Sequence, residues 1–299
     1  MEVVPYGGWS RCARLVAGDT ELLVTLEVGP RIIRYGRIGG PNMLVEYTKD
    51  MGKTGGDEYR SYGGHRLWVA PEHKVTTYEP DNSPVDVLEV PSGLHFTTPL
   101  GRERIQKQIE ITVDGNAFVL HHTLTNRQDH LISIAAWSLT VMATGGTCII
   151  PQADYFPHPD ALLPARPLVL WHYTQMQDPR YTWGNHLIRL QQSATGGPTK
   201  LGALVQQGYA AYANFGDLFF KRFPFEEGAD YLDYGVNFET FTRPDMLEVE
   251  SVGPRTHLAP GESTSLRETW YLVADQTPPE DDTAAGQWLA GIARPRPMR

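Results

Sequence analysis

The sequence predicts a single all-β domain of antiparallel strands, and three observations carry that prediction. Glycine (29) and proline (23) are plentiful and spread along the 299 residues, which suits many strands joined by turns better than a helical bundle. Apolar and polar residues alternate over strand-length stretches. Only one stretch, 282–293, reads as a helix.

The strands can be justified in order. Glu21–Val28 is apolar and β-branched, and Arg31–Tyr35 follows after Gly29-Pro30. Ile109, Ile111 and Val113 alternate with polar neighbours up to Asp114-Gly115, a strong turn dipeptide. On the return strand Phe118, Leu120, His122 and Leu124 share one face. Leu131–Met142 sets Trp137, Leu139 and Val141 against Ser138 and Thr140. After Pro260-Gly261, one further strand puts Leu266, Glu268, Trp270 and Leu272 on one face. The stretch from Pro151 to Pro179, rich in proline and aromatics, reads as a long structured loop over the sheet, and loops of that length are usually functional. Asp282–Ala293 has the acidic start of a helix, and 294–299 reads as a loose tail. No repeat, linker or low-complexity tract divides the chain, so the domain is expected to span 1–299.

Composition narrows the function. A formal charge of −9 with no basic run argues against nucleic acid, and it gives no attraction to an anionic membrane surface. No stretch approaches the ~20 apolar residues of a membrane helix, and no signal-peptide pattern precedes the first strand. A cytoplasmic location is expected. Cys12 and Cys148 show no framework spacing and read as two buried thiols, although a pair remains open. There is no phosphate loop, dinucleotide fingerprint, nucleophile elbow or zinc helix motif. No cofactor and no metal are expected.

Two clusters carry chemistry. Gly63-Gly64-His65-Arg66-Leu67-Trp68, followed by Ala70-Pro71-Glu72-His73, combines glycines for close backbone approach with His and Arg donors and a flat tryptophan face. That set suits a carbohydrate. In Tyr231–Glu239, Asn237 and Glu239 would stand ~6.6 Å apart on one strand face. Asp233 would lie ~20 Å from Glu239 in a straight strand, and joins it only if the chain turns at Gly235. Lys221 and Arg180 are positive positions that could complete a site. His121 and His122 face opposite sides of their strand, so they cannot share a metal.

Part of the chain resembles a known family. Glu239-Thr240-Phe241-Thr242-Arg243-Pro244-Asp245 resembles the Glu-Thr-x-x-x-Pro-Asp segment of aldose 1-epimerases (galactose mutarotases), and Leu258-Ala259-Pro260-Gly261-Glu262 resembles the family's Leu-x-Pro-Gly-Glu at fitting spacing. Gly29-Pro30-Arg31-Ile32 is similar to an early strand of these proteins. Over nearly its full length the chain also looks like an uncharacterised bacterial branch with a Gly-His-Arg-Leu-Trp-x-Ala-Pro-Glu segment, here Gly64–Glu72, and a second segment at Leu170–Arg180. The resemblance implies a large antiparallel β-sandwich (a supersandwich), a small-molecule carbohydrate as ligand, and Glu239 as catalytic base. The family's general-acid histidine has no counterpart at Ala136-Trp137-Ser138-Leu139.

The expectation is therefore an aldose 1-epimerase-like isomerase in which Glu239 and His65 act as base and acid across one cleft. Arg66, Trp68, Glu72, Arg180, Lys221, Asp233 and Asn237 would hold the sugar. The alternatives are a non-catalytic sugar-binding or sensing protein, or a lyase or hydrolase acting on a sugar acid. The oligomeric state is left open.

Overall fold

The computed structural model describes residues 1–293; the expected tail, 294–299, lies outside them. Two large antiparallel sheets face each other across a continuous apolar core. The first runs in the order Glu2–Tyr6, Trp9–Ala17, Thr20–Thr25, Ile32–Arg37, His65–Ala70, Ile132–Met142, Met246–Val252, Phe238–Arg243, Thr199–Ala203 and Leu168–Leu170, with Thr256–Leu258 paired to the start of Ile132–Met142. The second runs Tyr181–Trp183, Leu187–Gln191, Thr147–Pro151, Tyr209–Asn214, Asp217–Arg222, Ser263–Val273, Ala117–Asn126, Ile105–Asp114, Gly93–Thr97 and Asp86–Val90. The expected helix is present as Asp282–Ala293 and buries Ala285 and Leu289 against the outer side of the second sheet. Among the described residues, no helix is long and apolar enough to cross a membrane. Cys12 and Cys148 are both buried and unpaired.

Alternation explains which side chains meet. Phe118, Leu120, His122 and Leu124 all point inward, as their spacing predicts, and so do Leu266, Glu268 and Trp270. The predicted strand Glu21–Val28 is shorter, ending at Thr25. There Thr25 Oγ1 bonds Val28 O at 2.8 Å and accepts from Arg31 N at 3.2 Å, which turns the chain early.

The middle of the sandwich holds a polar network inside apolar walls. Lys221 Nζ lies 2.9 Å from Glu268 Oε1, and donates to Ser138 Oγ at 3.0 Å and Thr140 Oγ1 at 3.1 Å. Ser138 and Ser251 hydroxyls and Trp270 Nε1 also donate to the Glu268 carboxylate. His122 Nδ1 donates to Leu266 O at 3.0 Å, so its Nε2 is left to accept from His65 Nε2, 2.8 Å away. His65 Nδ1 then accepts from Thr140 at 3.0 Å. This assignment leaves both imidazoles neutral, in line with the burial that holds both below the ordinary histidine range.

Lys221 and Glu268 are both fully buried. Lys221→Met alone strands the Glu268 carboxylate, and should cost about 3–5 kcal/mol of stability. Pairing it with Glu268→Leu should recover a large part of that loss. Urea unfolding of the three variants checks this, and a double-variant loss equal to the sum of the two single losses would show that the pair is not coupled.

Candidate functional site

The other face of the first sheet is where the remaining chemistry gathers. Cross-strand register sets the rows: Arg66 opposes Leu139, Leu139 opposes Glu250, and Glu250 opposes Glu239. One step along the sheet, Val141 opposes Glu248, Glu248 opposes Phe241, and Phe241 opposes Lys200. Trp137 stands beside Trp68 and Val252 in the row on the far side. Period-two alternation thus puts every one of these side chains on the face away from the core.

They floor a cleft of about 280 Å³, lined by Tyr47, Tyr59, Arg66, Trp68, Glu72, Tyr78, Trp137, Tyr173, Lys200, Phe241, Arg243 and Glu248 among others. That volume lies at the small end of ligand sites. Aromatic side chains make its walls: Trp68 meets Trp137, Tyr78 and Tyr59 at 5.1–6.3 Å between ring centres. A larger hollow of about 420 Å³ lies at Arg102, Arg104, Arg127 and His130, but it is lined by side chains at the surface and carries no Phe, Tyr or Trp.

Lys200 is the hub of the charges. Its ammonium lies 2.6 Å from Glu239 Oε2 and 3.2 Å from Glu250 Oε2, with the ring centres of Trp137 and Trp171 each at 4.7 Å. Trp137 Nε1 donates to Glu250 Oε2 at 2.8 Å. The close Lys200–Glu239 approach is off the direction of a good hydrogen bond, and both Glu239 oxygens lack a donor. Burial works against the Lys200 charge, but Glu250 and Glu239 outweigh it and hold its pKa above the ordinary lysine value.

Three carboxyls around one ammonium cannot all ionise cheaply. Burial pushes Glu239 up to about 8, with Lys200 opposing and Glu250 and Asp233 adding to the rise. Glu248, which opens onto the cleft, is also raised to about 8 by burial and by Glu250. Glu239 and Glu248 therefore exchange protons near neutral pH, each linked to the charges around Lys200.

Several of the sequence-predicted residues meet here, and several do not. Arg66, Trp68 and Glu72 line the cleft, and Glu239 lies just beneath it at 1% exposure. Asp233 is brought close enough to act on Glu239 because the chain turns at Asp233, Tyr234 and Gly235, all with positive φ. His65 is a correction: as the odd neighbour of Arg66 it points through the sheet into the core, bonded to His122 and Thr140. Lys221 is another, being the buried partner of Glu268. Asn237 is a backbone clamp, accepting from Val205 N at 2.7 Å and donating to Val205 O at 3.2 Å. Arg180 is locked on Asp178 beside a separate cavity that shares only Tyr173 with the cleft. Gly63 and Gly64 allow close approach not to a ligand but to backbone: an added Cβ would lie 2.1 Å from Val45 O and 2.2 Å from Ile32 O.

Lys200, Trp137, Trp171, Tyr173, Glu248 and Glu250 were missed. Glu248 and Glu250 did carry a signal, since their spacing puts both on the face that Glu239 shares once the two strands are paired. Metal-ligand side chains do converge elsewhere, at His65, His122 and Glu268, whose ligand atoms lie within 4.8 Å of one another. Their lone pairs are committed to the core network, and the cation already beside Glu268 is Lys221.

No family model matches the chain, and no curated protein does. Solved structures do match in fold. The Slr1438 protein of Synechocystis is similar at 12% identity and a TM-score of 0.57, over 92% of this chain and 100% of that one. A candidate aldose 1-epimerase of Escherichia coli is similar at 12% identity and 0.54, over 87% and 98%. A galactose mutarotase-like protein of Lactobacillus casei is similar at 10% identity and 0.52, over 87% and 99%. The architecture is that of the galactose mutarotase-like sandwich.

A carboxyl that titrates higher when folded keeps its proton after the unfolded chain has lost it. The stability contributed by Glu248 is therefore complete below about 4.5 and lost as pH rises through about 8. Relative to wild type, Glu248→Gln should lose less thermal stability between pH 5 and 8.5. Parallel melting profiles would show that Glu248 is ionised throughout.

Proposed function

We propose that the chain binds a monosaccharide in this cleft and isomerises it by acid/base ring opening at the anomeric carbon. The observation that carries the reading is two buried carboxyls, Glu239 beneath the aromatic-walled cleft and Glu248 opening onto it, that burial pushes up to about 8. A sugar ring offers apolar C–H faces to Trp68 and Tyr59, and hydroxyls to the charged floor. The solved structures of similar fold, which include a candidate aldose 1-epimerase and a galactose mutarotase-like protein, support a carbohydrate ligand.

In this reading an ionised carboxyl takes the proton of the anomeric hydroxyl. The C1–ring-oxygen bond breaks as the C1 carbonyl forms, and a protonated carboxyl supplies a proton to the ring oxygen. Rotation about C1–C2 and the reverse transfers close the other anomer. Glu239 keeps the base role that the resemblance gives it. Glu248 takes the donor role, because it opens onto the cleft and His65 does not. In this cycle one carboxyl enters protonated and the other ionised, and the two divide acid and base work between them.

The placement of His65 in the core also favours a second reading, a protein that binds the sugar without turnover. Anomeric exchange followed by NMR over a panel of aldoses separates the two. Glu239→Gln and Glu248→Gln should each slow the catalysed exchange by roughly 10²-fold or more, while His65→Gln should leave the rate of folded protein within a few-fold. Sugar binding with exchange no faster than buffer would establish the second reading. A Glu239→Gln variant as fast as wild type would remove Glu239 as base.

A further inference from the structure

We propose that the sugar held in this cleft carries a carboxylate, and that Arg66 receives it. The proposal rests on the cleft being a sugar site and specifies the class of sugar. Arg66 is 6% exposed, yet Nε and Nη1 of its guanidinium, sealed from solvent, have no acceptor. Among the described residues it forms no ion pair. The other cations lining the cleft are matched: Lys200 has Glu239 and Glu250, and Arg243 has Asp245 at 2.7 Å.

The surroundings hold the guanidinium in place without neutralising it. It lies 4.1 Å from the Trp68 ring centre and 5.0 Å from that of Tyr59, and these faces accept no conventional hydrogen bond. Asp81 and Glu248 act on it only at longer range, and burial lowers its pKa below the ordinary arginine value. A buried charge with unmet donors is costly to keep. A ligand that brings both acceptors and a negative charge removes that cost.

A neutral hydroxyl would satisfy a donor and leave the charge. A carboxylate satisfies both, through planar, charge-assisted bonds that suit arginine. One unmatched cation calls for a single negative charge, whereas a phosphate dianion would place a second one near Glu248 and Glu72. Arg66 and Glu248 stand two strands and one row apart, about 12 Å between backbones. A ring anchored by its carboxylate on Arg66 would turn its opposite edge toward Glu248. The class that fits is a uronic acid or a related sugar acid.

Calorimetric titration at pH 7 tests this with galacturonate, glucuronate, galactose, glucose and glucose 6-phosphate, on wild type, Arg66→Gln and Arg66→Lys. Uronates should bind wild type roughly tenfold or more tighter than the matching neutral sugars. Arg66→Gln should erase that preference and Arg66→Lys should keep part of it. Melting temperatures separate the roles: a ligand-binding arginine that the protein holds only by ring stacking can be replaced by Gln with little loss of stability. The proposal is overturned if uronates bind no tighter than neutral sugars, if the phosphate binds tighter than the uronates, or if Arg66→Gln keeps the preference. Binding of neutral sugars alone would leave the sugar site standing and remove only the carboxylate. Binding of none of the five would remove both.

Discussion

Each strand in the middle of the first sheet has to serve two environments at once, and the two-residue alternation of side chains is what allows it. On one side His65, Ser138, Thr140 and Ser251 join the Lys221–Glu268 pair in the interior. On the other, Arg66, Trp68, Trp137, Glu239, Glu248 and Glu250 form the cleft and its floor. A slip of one residue in any pairing would exchange the two sets and bury the wrong charges. The charges on each face therefore work with the hydrophobic pattern to fix register.

The two lysines show how burial and partner number decide what a charged group can do. Lys221 faces one carboxylate, and that carboxylate has several other donors, so the pair is complete and chemically quiet. Burial lowers the Lys221 pKa, with Glu268 working against it; burial would also raise Glu268, but Lys221 holds it well below the usual carboxylate range. Lys200 faces more carboxyl groups than it can balance, so burial, with Glu250 adding to it, pushes Glu239 and Glu248 up to about 8. The same residue type is structural where charges cancel and reactive where they do not.

The architecture was legible because alternation and turn dipeptides are local: Asp114-Gly115, the inward set from Phe118 to Leu124, and the helix at 282–293 can all be read from neighbours in the chain. Glu239 was found by motif, and Arg66, Trp68 and Glu72 by the density of polar and aromatic residues around them. The assignment of His65 failed for a simple reason. It neighbours Arg66, and adjacent strand residues cannot face the same way. Lys200 and Glu250 were hidden because their meaning depends on pairing between strands distant in sequence, which no local window reveals. Arg180 and Asn237 looked like ligand contacts because isolated polar residues show their chemistry but not their partners.

The edge of the first sheet ties the loop to the charges. Leu168–Leu170 is the last strand, three residues long, and pairs only with Thr199–Ala203, the strand that carries Lys200. Trp171 follows it directly and covers the Lys200 ammonium, and Tyr173 reaches the cleft wall. Peeling this short ribbon away would uncover the ammonium, admit water to the carboxyls and return their proton affinity toward that of ordinary glutamate. Whether the ribbon is latched or loose and how many protons the floor holds are then two readings of one variable.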